Sequence, residues 1–188
     1  MKERIPFLMT AGRAALAPVL LALAWHWPAR GAFAFCLIVA FLSDIFDGVL
    51  ARKWGIATTA LRRFDSLADS LFYAAAIAAA WRLYPTAILA RWPWLVALLA
   101  LELARYAFDY FKYRREASYH MWSSKLWGVS LFVAFFWLLA LGTDNASIDF
   151  AILLGIVCDL EGLAISFVLR DWHHDVPSIV HALRIRDT

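Results

Sequence analysis

The strongest constraint on the fold of this chain is a series of apolar stretches, each close to the length that crosses a lipid bilayer. A spanning helix needs about 20 mostly apolar residues. Stretches of roughly this length cover residues 14–29, 31–51, 66–82, 87–107, 124–143 and 148–169. Because 63% of the 188 residues are hydrophobic and 18% are charged, a soluble domain of this size could not bury so much apolar surface. We therefore expect an all-α, polytopic integral membrane protein with six transmembrane helices in a single domain, residues 1–188.

The basic residues predict how these helices are oriented. Lys and Arg concentrate in the cytoplasmic loops of membrane proteins. Of the 18 basic residues, all but Arg30, Arg82 and Arg91 lie at the N-terminus, in the 52–65 and 105–125 segments, or in the C-terminal tail. This distribution predicts that both termini are cytoplasmic. The same distribution accounts for the net charge of +3. We therefore do not expect a nucleic-acid partner.

The first 24 residues have two interpretations. They resemble a signal peptide, with Lys2 and Arg4 before an apolar run and Ala22-Leu23-Ala24 as a cleavage site. Arg13, inside the apolar run, disfavours that interpretation. We therefore expect an amphipathic interfacial segment at residues 3–12 that leads into the first span, and a matching short interfacial segment near the C-terminus.

Four of the 15 acidic residues form a pattern where the second and third spans meet the cytoplasm. Asp44 and Asp47 are three residues apart and share one helix face, and Asp65 and Asp69, four apart, share a face of the next helix. The loop between them is short and basic. We expect both acid pairs at the cytoplasmic ends of two antiparallel helices.

Carboxylates placed this way need compensating positive charge. Mg²⁺ and Mn²⁺ prefer oxygen ligands, and two such ions held by shared carboxylates form a clamp for a diphosphate. Gly48 and Ala51 leave space beside the acids, and Arg52 adds a cation suited to phosphate. The alternative is a set of interfacial ion pairs with nearby basic residues, namely Arg52, Lys53, Arg62 and Arg63.

These residues resemble the signature of the CDP-alcohol phosphotransferase family, D-x2-D-G-x2-A-R-x8-G-x3-D-x3-D. Residues 44–69 match seven of its eight fixed positions, with Leu61 in place of the second glycine. The N-terminal residues Ile5-Pro6, Thr10, Arg13 and Pro18 are similar to the phosphatidylglycerophosphate synthase branch. The run from Asp65 to Asp69 looks more like phosphatidylserine synthases, so the branch stays open.

The resemblance implies a class I CDP-alcohol phosphatidyltransferase, a metal-dependent enzyme of phospholipid biosynthesis. It would transfer a phosphatidyl or other substituted phosphoryl group from a CDP-linked donor, CDP-diacylglycerol, to a small alcohol or lipid alcohol, and release CMP. It further implies two Mg²⁺ or Mn²⁺ ions, a homodimer, and a multi-pass location in the cell (inner) membrane with the active site at the cytoplasmic interface.

The same resemblance implies roles for individual residues. Asp44, Asp47, Asp65 and Asp69 would be the metal ligands, and Asp69 would also be the general base. Gly48, Ala51 and Arg52 would bind the donor. Leu61 leaves a catalytically degenerate family member open as an alternative.

The second half of the chain offers candidates for binding the acceptor. Arg105 and Lys125 could bind an acceptor phosphate, or could serve only as cytoplasmic membrane anchors. Further polar candidates are Glu102, Tyr119, His120 and Ser124. Asp159 and Glu161 lie within the last apolar stretch, where an acid is either functional or paired with an arginine of another span. Acids in such positions also leave a transporter open as an alternative, and the acceptor alcohol is not identified.

Overall fold

The computed structural model describes residues 4–55, 58–115, 117 and 119–187, and its regular secondary structure is helical. No β-strand occurs in the described part of the chain. The helices are α1 (Arg4–His26), α2 (Arg30–Lys53), α3 (Thr59–Leu83), α4 (Pro85–Leu89), α5 (Trp92–Tyr113), α6 (Trp122–Phe135), α7 (Ala146–Val168) and α8 (Ile179–Arg186), with a π-helical turn at Phe136–Ala140 after α6.

Local sequence explains several of the helix ends. Gly55, with a φ of 67°, follows α2 in the left-handed region that favours glycine. The Thr58 hydroxyl oxygen accepts a hydrogen bond from the Leu61 N–H at 3.2 Å and caps α3. Asn145 caps α7 in the same way, through the Ser147 N–H at 2.9 Å.

Among the described residues, four segments are long and apolar enough to cross a membrane, judged by length and composition: Ile5–His26, Arg30–Leu50, Trp122–Ala140 and Ala146–Val168. This supports the predicted membrane protein, but it leaves two of the six expected spans unsupported. The helices α3 and α5 have 25 and 22 residues, so length is not what separates them from the other four. Charged side chains lower their hydropathy, Asp65 and Asp69 in α3 and Arg105 and Asp109 in α5.

The chain divides into two compact units, of which the first comprises Met1–Ile88 and Phe135–Asp144. Within it, α1 packs against both α2 and α3, and the π-helical turn packs against α2. The rings of Phe7 and Phe64 stack with centroids 5.0 Å apart and join α1 to the first part of α3. Leu20, Phe33 and Leu37 are fully buried between these helices. The predicted N-terminal interfacial segment and the first span form one continuous helix from Arg4 onward.

The second unit comprises Leu89–Ala134 and Asn145–Thr188, in which α5 packs against α7 and α7 against α8. Two glycines on one face of α7 allow close approach. A Cβ added to Gly155 would lie 2.8 Å from the Trp127 ring, and one added to Gly162 would lie 2.8 Å from Arg105 Cδ. The side chains of Lys112 and Tyr113 donate hydrogen bonds to the last carbonyls of α7, which no residue of that helix can satisfy.

Candidate functional site

The four aspartates of the sequence motif meet around one side chain, the guanidinium group of Arg13 from α1. Its Nη1 lies 2.5 Å from Asp44 Oδ1 and 2.6 Å from Asp69 Oδ1. Its Nη2 lies 2.7 Å from Asp47 Oδ2 and also pairs with Asp65 Oδ1. Each terminal nitrogen therefore contacts one acid of α2 and one acid of α3.

The cluster has a buried floor and an open side. The side chains of Arg13 and Asp47 are 2% and 5% exposed, whereas those of Asp44, Asp65 and Asp69 are 35–47% exposed. Three of the four carboxylates can therefore be reached by a molecule from outside the helix bundle of this unit.

Thr10, one turn before Arg13 on α1, helps to orient the buried acid. Its hydroxyl lies 3.1 Å from Asp47 Oδ2 and 3.0 Å from the Pro6 carbonyl, and it can donate to either. The other carboxylate oxygen, Asp47 Oδ1, is buried and has no hydrogen-bond partner among the described residues. A buried carboxylate oxygen without a donor is costly, which makes it a natural ligand for a cation.

The donor set suits a divalent metal ion. Asp44, Asp47 and Asp65 each offer an oxygen within 4.8 Å of the others, and Asp69 contacts the same guanidinium nitrogen as Asp44. Carboxylate oxygens are the ligands that Mg²⁺ and Mn²⁺ prefer. Arg13 alone supplies one positive charge to the four carboxylates. The residues present therefore fit the divalent ions that the family resemblance implies.

The residues predicted to bind the donor lie at the end of α2. A Cβ added to Gly48 would lie 3.3 Å from Arg52 Nη1, so the missing side chain leaves room for this exposed guanidinium. Ala51 lies between them in sequence, but its side chain is outside the described set. Leu61 lies in the first turn of α3, partly exposed, one turn before Asp65.

The acids have an ion-pair partner that the predicted alternative did not include. That alternative named basic residues near the loop between the two helices, and Arg13 of α1 pairs with all four acids. The sequence motif assigned no functional role to Arg13. A signal was present, because an arginine inside an apolar span needs a buried anionic partner.

The predicted acceptor residues lie in the second unit. The Nε of Arg105 lies 3.0 Å from Asp159 Oδ1, with the two side chains 18% and 1% exposed. Lys125 is exposed, and its ammonium group lies 4.9 Å from the centroid of the Trp122 ring. Asp159 therefore follows the second of the two interpretations of these acids, because it pairs with an arginine of another helix.

Glu161, the other acid of the last span, has polar partners instead of an arginine. It accepts a hydrogen bond from Ser123 Oγ at 2.5 Å and another from the Ile179 N–H at 3.4 Å. Because Ser123 belongs to α6 and Ile179 is the first residue of α8, this carboxylate ties both helices to α7.

The second unit also contains a buried polar network of Asp109, Ser166 and Tyr119 that the sequence pattern did not predict. Asp109, which is 1% exposed, accepts a hydrogen bond from Ser166 Oγ at 2.5 Å, and Ser166 also bonds to the Tyr119 hydroxyl at 2.9 Å. Asp109 lies two residues beyond the predicted end of the fourth span. Burial raises the pKa of this carboxyl group, while the bond from Ser166 partly opposes that rise. Only Tyr119 was singled out from the sequence.

Residues 3–160 match the sequence model of a family described as CDP-alcohol phosphatidyltransferase. Two relatives, from Rickettsia typhi and Rickettsia prowazekii, are named CDP-diacylglycerol–glycerol-3-phosphate 3-phosphatidyltransferase. Each is 32% identical over 71 residues, which are 37% of this chain and 40% and 39% of the respective relatives. The matched region therefore spans about two fifths of those relatives. No solved structure matches the chain.

Proposed function

This chain belongs to the CDP-alcohol phosphatidyltransferase family, and we propose that it transfers a phosphatidyl group from CDP-diacylglycerol to an alcohol with release of CMP. The observation that carries the proposal is the convergence of Asp44, Asp47, Asp65 and Asp69 on one point, three of them accessible from outside. The names of the two rickettsial relatives support this donor.

In this proposal the four aspartates hold two divalent ions, Mg²⁺ or Mn²⁺. Such ions supply charge that stabilises both the attacking and the leaving oxygen of a phosphoryl transfer. Arg52, exposed at the end of α2 and accommodated by Gly48, binds the donor phosphates as a planar cation with several N–H donors. Ala51 completes the small surface on which the donor lies.

Asp69 is the proposed general base. Its side chain is 35% exposed, so an acceptor hydroxyl can reach its carboxylate from the open side. The proton of that hydroxyl passes to Asp69 while the oxygen forms a bond to the phosphorus that carries the lipid. The bond between this phosphorus and the bridging oxygen of the diphosphate breaks, and that oxygen leaves with CMP.

We propose a phosphorylated polyol, glycerol 3-phosphate, as the acceptor. The names of the relatives support this choice over serine. Arg105 and Lys125 are the proposed ligands of its phosphate, and both are basic residues in the second unit with some exposure. Asp159 offsets part of the Arg105 charge, so we expect Lys125 to contribute the larger share of phosphate affinity.

The test is CMP release by the purified full-length protein in detergent micelles with Mn²⁺ or Mg²⁺ and CDP-diacylglycerol. The acceptor panel is glycerol 3-phosphate, serine, inositol phosphate and phosphatidylglycerol. We expect CMP release with glycerol 3-phosphate, and none after chelation of the metal. CMP release with another acceptor alone would correct the acceptor, and none with any acceptor, together with no donor binding, would contradict the enzymatic proposal.

Three further features stay predictions about the whole protein: six spans with cytoplasmic termini, location in the cell membrane, and a homodimer. Labelling of single cysteines introduced at each terminus, in intact and opened cells, tests the topology. Light scattering of the protein in micelles tests the dimer, which a monomer at all concentrations would contradict.

A further inference from the structure

We propose that Arg13 is a resident counter-cation of the aspartate cluster, and that divalent ions displace its guanidinium group when they bind. In this view Arg13 and the metal ions are alternative occupants of the same carboxylates. The proposal rests on the metal site proposed above, and the experiment below separates the failure of one from the failure of the other.

The guanidinium group of Arg13 occupies the space between the carboxylates. Both terminal nitrogens of Arg13 lie between an acid of α2 and an acid of α3, at 2.5–2.7 Å from oxygens of Asp44, Asp47 and Asp69. A magnesium ion bound to such oxygens would lie about 2.0–2.1 Å from them. A guanidinium nitrogen and a divalent ion held by the same carboxylates would be close neighbours, and two neighbouring cations repel.

The charge of Arg13 does not balance the acids it contacts. Four carboxylates face its single positive charge, so Arg13 alone cannot neutralise them when all four acids are ionised. Two divalent ions supply four positive charges and neutralise the acids without Arg13. If Arg13 stayed, the cluster would carry an excess positive charge around a guanidinium that is only 2% exposed, where a charge without compensation is costly.

The guanidinium group of Arg13 leaves polar atoms of the cluster without hydrogen bonds. Arg13 Nε and Asp47 Oδ1 are both buried, and neither has a hydrogen-bond partner among the described residues. Because Thr10 can donate to the other oxygen of Asp47, Oδ1 stays available to a cation. A metal ion bound at this oxygen would lie beside Arg13, whose Nη2 is 2.7 Å from Oδ2 of the same carboxylate.

Two consequences follow. Without metal, the ion pairs of Arg13 join α1 to the acids of α2 and α3 and keep the four carboxylates close together. When metal ions bind, they must also break the contacts of Arg13 with the carboxylates. The apparent affinity for the metal is therefore lower than the intrinsic affinity, in proportion to the fraction of protein in which Arg13 has already left the acids.

The experiment is a titration of the full-length protein in micelles with Mn²⁺ alone, followed by electron paramagnetic resonance of the free ion. The variant is Arg13→Gln, and the matched control is Arg52→Gln, which removes a nearby exposed charge that does not pair with the four acids in this way. We expect the apparent Kd for Mn²⁺ to fall at least about tenfold in Arg13→Gln. In Arg52→Gln it should change by less than about threefold, because exposed charges are screened.

An equal or weaker Mn²⁺ affinity in Arg13→Gln overturns the displacement proposal while leaving the metal site intact. Equal gains in both variants also overturn it, because general electrostatics would then explain the effect. If neither the wild type nor Arg13→Gln binds Mn²⁺, the metal site itself fails.

A second variant protects the test against misfolding. Arg13→Lys keeps the charge, but its single nitrogen cannot lie between both pairs of acids. We expect its Kd to fall between those of the wild type and Arg13→Gln. Where only Arg13→Lys folds, binding no tighter than that of the wild type overturns the proposal.

Discussion

Arg105 reaches Asp159 across the interface of α5 and α7, with Nε 3.0 Å from Oδ1. Gly162, one turn along α7, makes this approach possible, since any side chain there would collide with Arg105. Asp159 is buried, and neither of its oxygens has a hydrogen-bond donor among the described residues. The nearby arginine charge is therefore its main compensation.

We expect Arg105→Gln to lower the free energy of unfolding by about 3–5 kcal/mol, because it leaves a buried charge without its partner. The double variant Arg105→Gln/Asp159→Asn should recover much of that loss. Unfolding in micelles measures both. The control is Arg186→Gln, which breaks the exposed pair with Asp187 and should cost only about 0.2–1 kcal/mol. Equal losses in the two single variants would contradict this account.

Asp69→Asn should reduce kcat by about 10²–10⁴-fold, the usual contribution of a positioned general base. The amide keeps the size of the side chain, and Asp44, Asp47 and Asp65 still offer oxygens to a metal ion, so binding of CDP-diacylglycerol should change little. The measurements are CMP release and, separately, equilibrium binding of the donor. Asp149→Asn applies the same substitution at an exposed acid and should leave kcat unchanged. Unchanged turnover in Asp69→Asn would remove the base assignment.

Gly48→Ala should raise the KM for the CDP-linked donor several-fold while leaving the unfolding midpoint nearly unchanged. The added methyl group would lie 3.3 Å from Arg52 Nη1, and the flexible end of that side chain can move aside without disturbing the backbone. Gly128→Ala is the matched control, because a Cβ there meets nothing within 4 Å. A donor KM that is the same in both variants would argue against Arg52 as a donor ligand.

The sequence contained enough to locate the acid pairs, since their spacing and the basic loop between them are local features. It did not reveal how the acids are compensated. Thr10 and Arg13 lie 34 or more residues before their partner Asp47, and only the packing of α1 against α2 and α3 brings them there. The contact between Asp109 and Ser166, 57 residues apart, was invisible for the same reason. Six spans were predicted and four are supported, because charged residues such as Asp69 and Arg105 lower the hydropathy of α3 and α5.

Leu61 replaces a glycine of the family signature, and its position in the first turn of α3 leaves it partly exposed. We expect Leu61→Gly to change kcat and donor KM by less than about twofold, and to lower stability by about 0.5–1 kcal/mol because glycine disfavours a helix. Leu61→Ala is the control, since it removes the same bulk but keeps the helix propensity. A lower donor KM in both variants would show instead that the leucine crowds the donor.

The stability of the protein should depend on pH through the buried carboxyl group of Asp109. Burial raises its pKa above the ordinary value of 3.8, so between that value and the raised pKa the folded protein binds more protons than the unfolded chain. Stability contributed by Asp109 is therefore fully present below pH 3.8 and is lost as the pH rises through the raised pKa.

The Asp109→Asn variant has no ionisable group at this position. Comparing its free energy of unfolding with that of the wild type across a pH series therefore isolates the contribution of Asp109. We expect the stability of the wild type relative to Asp109→Asn to fall as the pH rises. Ser166→Ala removes the hydrogen bond that favours the ionised form, so its decline should extend to higher pH than that of the wild type. A difference between wild type and Asp109→Asn that stays constant with pH would show that burial leaves this carboxyl group unperturbed.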